Sequence, residues 1–191
     1  MIPDSRIMVR NKSFLQAYNA QIVVDEAAQV IGAEGVSNQA PDQEYLRPML
    51  ARTLENCGRV PEQLSADAGY FSHANVQYCE QHQIDPYISP ARKLDTTQSP
   101  ALEQANIPLS PEQQTRERMR LKLSTDHGRA IYAKRKCIPE PVFGQIKEAL
   151  GFRRFSLRGL ANVSREWSFV CLCHNLLKLF RSPARAALAP L

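Results

Sequence analysis

Hydrophobic periodicity changes once along this chain, at Pro90, and that change limits the folds open to it. Before Pro90, strand-like and helix-like runs alternate; well beyond it, only helical periods remain. Ala17 to Asp25 (A-Y-N-A-Q-I-V-V-D) and Gln29 to Ser37 (Q-V-I-G-A-E-G-V-S) read as two strands, and the short Asp25-Glu26-Ala27-Ala28 connection suggests a hairpin. Pro41 to Cys57 reads as a helix. Its apolar face is Leu46, Met49, Leu50 and Leu54, with Pro41 in the first turn and Gly58 just past the end. Gln63 to Asp67 reads as a short strand, Ser72 as the N-cap of a helix through Gln83, and Asp85 to Ser89 as another short strand. The order strand, strand, helix, strand, helix, strand predicts a mixed α/β sheet flanked by helices. The residues before Ser13 read as irregular.

Pro90 to Ser110 is rich in Pro, Thr, Gln and Ser and has no period, so a mobile loop is expected there, 90–115 at its widest. Ser110-Pro111-Glu112 then carries an N-cap and a first-turn proline. Helices follow at about 111–124, 127–134, 139–150 and 159–181. The last has an amphipathic stripe of Leu160, Val163, Trp167, Val170, Cys171, His174 and Leu177. The reading is one domain over 1–181, with a frayed tail at 182–191.

A length of 191 residues and a hydrophobic content of 43% suit one domain with a real core. The net charge of +5 is unevenly spread. From Arg116 to Arg158 there are 12 basic residues against 4 acidic ones, so this segment is basic and the remainder is net acidic. Localised basic charge is the footprint of a phosphate-backbone binder, although a solvated basic face has the same composition. The five cysteines follow no secretory leader, and no apolar run is long enough for a membrane span. A cytoplasmic chain with reduced thiols and no membrane partner is expected.

Two acidic positions have chemical promise. Asp67 ends a strand and is followed by Gly69, which permits a sharp exit; the C-terminal ends of strands are where α/β sheets place ligands. An Asx-turn capping the strand would use the same residues. Glu140 lies in Y-A-K-R-K-C-I-P-E-P-V-F-G-Q-I-K (132–147), a strongly basic neighbourhood. On a helix opening near Pro139, Glu140, Phe143, Gly144 and Lys147 share one face. A carboxylate there can ligate a hard cation while the lysine meets a phosphate, and a surface ion pair is the plainer alternative. Cys171-Leu172-Cys173-His174 invites a metal reading, but on a helix the two cysteines point apart, and buried packing suits Cys171 and His174 better. Trp167 suits the core, and Tyr70 and Phe71 suit either core packing or a DNA contact.

Taken in order, P-D-S-R-I-M (3–8), Y-N-A-Q-I-V-V-D (18–25), A-D-A-G-Y-F-S (66–72), G-R-A-I-Y-A-K-R-K (128–136), E-P-V-F-G-Q-I-K (140–147), G-F-R-R-F-S-L-R-G-L (151–160) and E-W-S-F-V-C-L-C-H-N-L-L-K-L (166–179) resemble the C-terminal part of bacterial insertion-sequence DDE transposases. The resemblance implies a ribonuclease-H-like catalytic domain in which Asp, Asp and Glu bind two divalent cations, Mg²⁺ or Mn²⁺. It implies metal-dependent phosphoryl transfer on double-stranded DNA, at transposon ends and target, and allows a homo-oligomer. Asp67 matches the second Asp and Glu140 the Glu. Tyr132 and Lys147 match the Tyr and Lys that flank that Glu. The intervening Arg has two candidates: Arg135 has the right distance from Tyr132, and Lys136 has the usual distance from Glu140. Tyr132, Arg135, Lys136, Lys147, Arg153 and Arg154 are the implied DNA-phosphate contacts.

The first Asp of the family lies on the first core strand, upstream of the segment that matches Pro3 to Met8. Asp25 is a substitute on position alone, and reads better as a turn acid. The expectation is therefore a sheet incomplete at its first strand, in a truncated chain that is inactive alone. A non-catalytic nucleic-acid-binding remnant using the basic 116–158 surface is the alternative.

Overall fold

The structure is a computed structural model that describes residues 4–10, 13–39, 41–90 and 109–182. The chain forms two compact units. The first comprises Met1–Ala40, Met49–Arg59 and Lys136–Leu191; the second comprises Pro41–Pro48 and Val60–Arg135. Nearly all of the expected loop (91–108), and the tail beyond Ser182, lie outside the described residues.

In the first unit, β1 (Arg6–Arg10) pairs antiparallel with β2 (Ser13–Ala17), and β3 (Asn19–Val24) pairs antiparallel with β4 (Ile31–Ser37). The β3–β4 hairpin is the one that alternation predicts, with a register shift at Val23/Val24. β1 corrects the irregular reading of the first residues. Its R-I-M-V-R run lacks period-two alternation, and it becomes a strand through its pairing with β2. Helix α5 (Pro139–Glu148) and the long α6 (Leu160–Arg181) cover β3 and β4. The core joins Ile31, Val142, Ile146, Trp167, Val170 and Cys171. Trp167 is 3% exposed and has Phe143, Phe152 and Phe155 around it at centroid distances of 6.1–6.2 Å. Its indole Nε1 donates to the Gln21 carbonyl at 3.2 Å, satisfying the one polar atom that burial would otherwise strand. The Asn175 amide brackets Ile31, accepting from its N–H and donating to its carbonyl, each at 2.9 Å.

The second unit holds β5 (Gln63–Ala66) and β6 (Asp85–Ile88), which are parallel. A parallel pair cannot be closed by a tight turn, and helix α2 (His73–Gln81) lies in the connection. Ser72 caps α2 as expected, accepting from Asn75 N–H at 3.0 Å. Helix α3 (Pro111–Ser124) opens with a reciprocal capping box between Ser110 and Gln113, and packs on α2 and β6. Its buried residues are Thr115, Met119 and Leu123. Helix α4 (Asp126–Cys137) follows after one residue, Thr125. The corner is tight: a Cβ at Gly128 would stand 2.0 Å from the Lys122 carbonyl oxygen.

The helix expected over Pro41–Cys57 divides into a 3-10 turn at Asp42–Tyr45 and α1 (Leu46–Cys57). Leu46, Met49 and Leu50 are buried as read, but Leu54 is 47% exposed and Thr53 takes the inner position. The face follows the i, i+3, i+4, i+7 positions, and Leu54 lies one residue beyond it. The β structure is smaller than the expected mixed sheet. Among the described residues the six strands form three separate two-stranded ladders. Each ladder is short, and helices α5 and α6 pack on the β3–β4 hairpin. The coarser reading holds: a mixed α/β chain with a helical C-terminal part.

Candidate active site

Asp67 follows β5 directly and stands before a 3-10 turn of Ala68–Tyr70. Its backbone carbonyl accepts from Tyr70 N–H at 3.0 Å, so the chain turns sharply as the strand ends. The carboxylate is not consumed by the turn and is 75% exposed. Arg135 of α4 brings its guanidinium Nε to 3.1 Å from Asp67 Oδ1. That Nε is buried yet makes no aligned hydrogen bond, so the contact is ionic and poorly directed. One helical turn earlier, the Tyr132 ring lies 4.3 Å below the same guanidinium. Of the two basic candidates that the sequence left open, Arg135 is the one that meets both Asp67 and Tyr132; Lys136 is exposed and belongs to the first unit.

One residue at the Asp67 turn, Asp42, escapes sequence reasoning. A Cβ at Gly69 would stand 2.7 Å from Asp42 Oδ2, so the Asp42 carboxylate packs against this glycine. Burial, then the charges of Asp42 and Asp67, push the Tyr70 hydroxyl far above the ordinary tyrosine range. Nothing local links Asp42 to Asp67; only the need for a residue without a side chain at 69 hints at a close approach.

The remaining candidates belong to the first unit. Glu140 is an exposed carboxylate in the first turn of α5, where the helix N-terminus favours negative charge. Lys147 is exposed in the last turn, with Nζ 5.8 Å from the Phe143 ring on the same face. Arg153 pairs with Glu148 at 2.5 Å, and Arg154 is exposed. Asp25 lies in the exposed β3–β4 turn, its Oδ2 accepting from Ala28 N–H at 2.8 Å. His174 is buried, with Nε2 3.0 Å from the Gln29 carbonyl oxygen.

The basic segment from Arg116 to Arg158 is divided between the units after Arg135. Among the described residues, Arg118, Arg120, Lys122, Arg129, Arg135 and Arg153 each meet an acid. The exposed pairs among these, those of Arg118, Arg120, Arg129 and Arg153, are weak and yield to a polyanion. No group of three His, Cys, Asp or Glu residues with metal-holding geometry occurs among the described residues. Asp67 and Glu140 are nonetheless hard, solvent-facing oxygen donors, and Asp67 already faces a positive charge. That donor chemistry fits a hard divalent cation. No helix among the described residues is long and apolar enough to cross a membrane.

No curated protein and no solved structure matches the chain. The family model of the transposase DDE domain matches residues 4–176, a span that takes in both Asp67 and Glu140, and the chain belongs to that family.

Proposed function

We infer that this chain is part of the catalytic machinery of DNA transposition, with Asp67 and Glu140 as two acids of a metal-binding triad. The observation that carries the reading is the family match across 4–176, which includes both acids and their Tyr, Arg and Lys neighbours in order. When bound, divalent cations of the Mg²⁺ or Mn²⁺ type activate water or a DNA 3′-hydroxyl and stabilise the leaving oxygen of a scissile phosphate. The chain's own part is positioning. Asp67 and Glu140 present carboxylate oxygens from a strand end and a helix start. Lys147, Lys136, Arg153 and Arg154 grip backbone phosphates, and the turn after β5 fixes where the Asp67 carboxylate emerges.

The first acid of the triad is expected from sequence upstream of Pro3. Cleavage is therefore proposed for the chain joined to that strand, and the 191 residues alone are expected to bind duplex DNA and leave it intact. The test compares both forms on transposon-end DNA with Mn²⁺. Asp67→Ala and Glu140→Ala should each abolish cleavage by the extended form and leave DNA affinity within about twofold. Cleavage that survives both substitutions would overturn the reading.

The binding-only alternative draws support from the basic 116–158 segment. It predicts DNA affinity without divalent-cation binding at Asp67.

A further inference from the structure

The ion pair at Asp67 is unequal. The carboxylate is 75% exposed, whereas Arg135 is 21% exposed and its Nε is sealed from solvent. A pair formed to stabilise the fold would be expected to align a fork of two hydrogen bonds on the carboxylate. Here Nε faces Oδ1 at 3.1 Å without hydrogen-bond alignment. The guanidinium does not depend on Asp67 for its place. It is carried by α4 and lies 4.3 Å from the Tyr132 ring, a contact that persists if the carboxylate turns away. Asp67, open to solvent and not aligned on Arg135, is placed to turn toward a ligand arriving from solvent. Asp42, packed on Gly69, adds a second negative charge to the same turn.

We propose that Arg135 is a built-in counter-ion for Asp67, a guanidinium latch that holds the carboxylate until a divalent cation displaces it. The inference rests on the reading of Asp67 as a metal ligand and adds to it a resident competitor. Arg135 is thus a positioning residue: it compensates the carboxylate while no metal is bound, and it lowers cation affinity by charge repulsion. A divalent ion against one guanidinium charge a few ångströms away, in a solvent-exposed setting, amounts to about tenfold in affinity.

The test measures Mn²⁺ binding to the 191-residue chain by the loss of the free-ion paramagnetic resonance signal. Arg135→Gln should tighten binding about tenfold, and Arg135→Lys, which keeps the charge, should stay near the parent chain. Asp67→Asn should abolish binding at this site. If Asp67→Asn abolishes binding while Arg135→Gln leaves it equal or weaker, the latch is wrong and Asp67 stands as a ligand. If Asp67→Asn changes nothing, the ligand reading fails and the latch falls with it. A titration of the unsubstituted chain with Mg²⁺ avoids any folding defect of the variants. The Arg135 Nε–Hε resonance should shift together with the Asp67 carboxylate carbon; a carboxylate that shifts while Nε stays still would overturn the latch.

Discussion

Cys79 and Cys171 are buried, while Cys57 and Cys137 are exposed. Burial, with the charge of Glu80 added, pushes the Cys79 thiol up to about 11, and burial, with the charge of Glu34 added, pushes Cys171 up to about 12. Thiolate is the reactive form, so these two are shielded twice, by access and by protonation. Alkylation at pH 8 followed by mass mapping should modify Cys57 and Cys137 at least about tenfold faster than Cys79 and Cys171. Equal rates in the folded chain would mean that the two cores open freely. The same burial explains Cys171 and His174: neither was legible as a ligand, and the structure seats one in the core and the other on the Gln29 carbonyl. The place of Asp67 at a strand end before Gly69 was legible. Its surroundings were not, because Arg135 reaches Asp67, and Asp42 reaches Gly69, only through the fold.

Among the elements, α6 joins the C-terminal part of the first unit to β3 and β4. Trp167, Val170 and Cys171 fill the core beneath β3 and β4, and Asn175 satisfies both backbone groups of Ile31. Trp167→Ala should cost about 3–5 kcal/mol in urea unfolding, because it removes the centre of an aromatic cluster and the indole donor to the Gln21 carbonyl. Asn175→Ala should cost less, about 1–3 kcal/mol, by leaving the Ile31 N–H and carbonyl without their amide partner. A Trp167→Ala loss below 1 kcal/mol would show that the cluster does not carry the unit. Most of the α6 stripe was legible, since a 3.6-residue period over six turns is a local property of sequence; Val163, Trp167, Val170, Cys171 and His174 are buried, and Leu160 and Leu177 at its ends are half-buried. The β1 strand was not, since R-I-M-V-R pairs only through a partner whose register the run does not encode. Ladder number is equally non-local: alternation marks β3, β4, β5 and β6 as strands but is silent on which of them share a sheet.

At the scale of the molecule, pH should bound stability on both sides. Burial raises Asp85, but hydrogen bonds from Lys122 and Tyr87 and the charges of Lys122 and His127 outweigh it and hold the carboxyl below its ordinary value of 3.8. A lowered acid stabilises the fold above its unfolded pKa, and that contribution is lost as pH falls through the folded value. The raised thiols act in the opposite direction. Their contribution is complete below pH 9.0 and is lost as pH rises toward the folded values of about 11 and about 12. Urea midpoints measured against pH should therefore be level between the two limbs; Lys122→Met should weaken the acid limb and leave the alkaline one unchanged. Both units are built from discontinuous stretches of chain, and the first joins its N-terminal hairpin to a helix far along the sequence. Trp167 lies 146 positions after Gln21, and Asn175 lies 144 after Ile31. At about 5–20 residues per second, a ribosome takes on the order of ten seconds to deliver α6 after β4 has emerged. Through that interval the nascent hairpin lacks the α6 cover for Ile31, and its folding must wait until that helix is made.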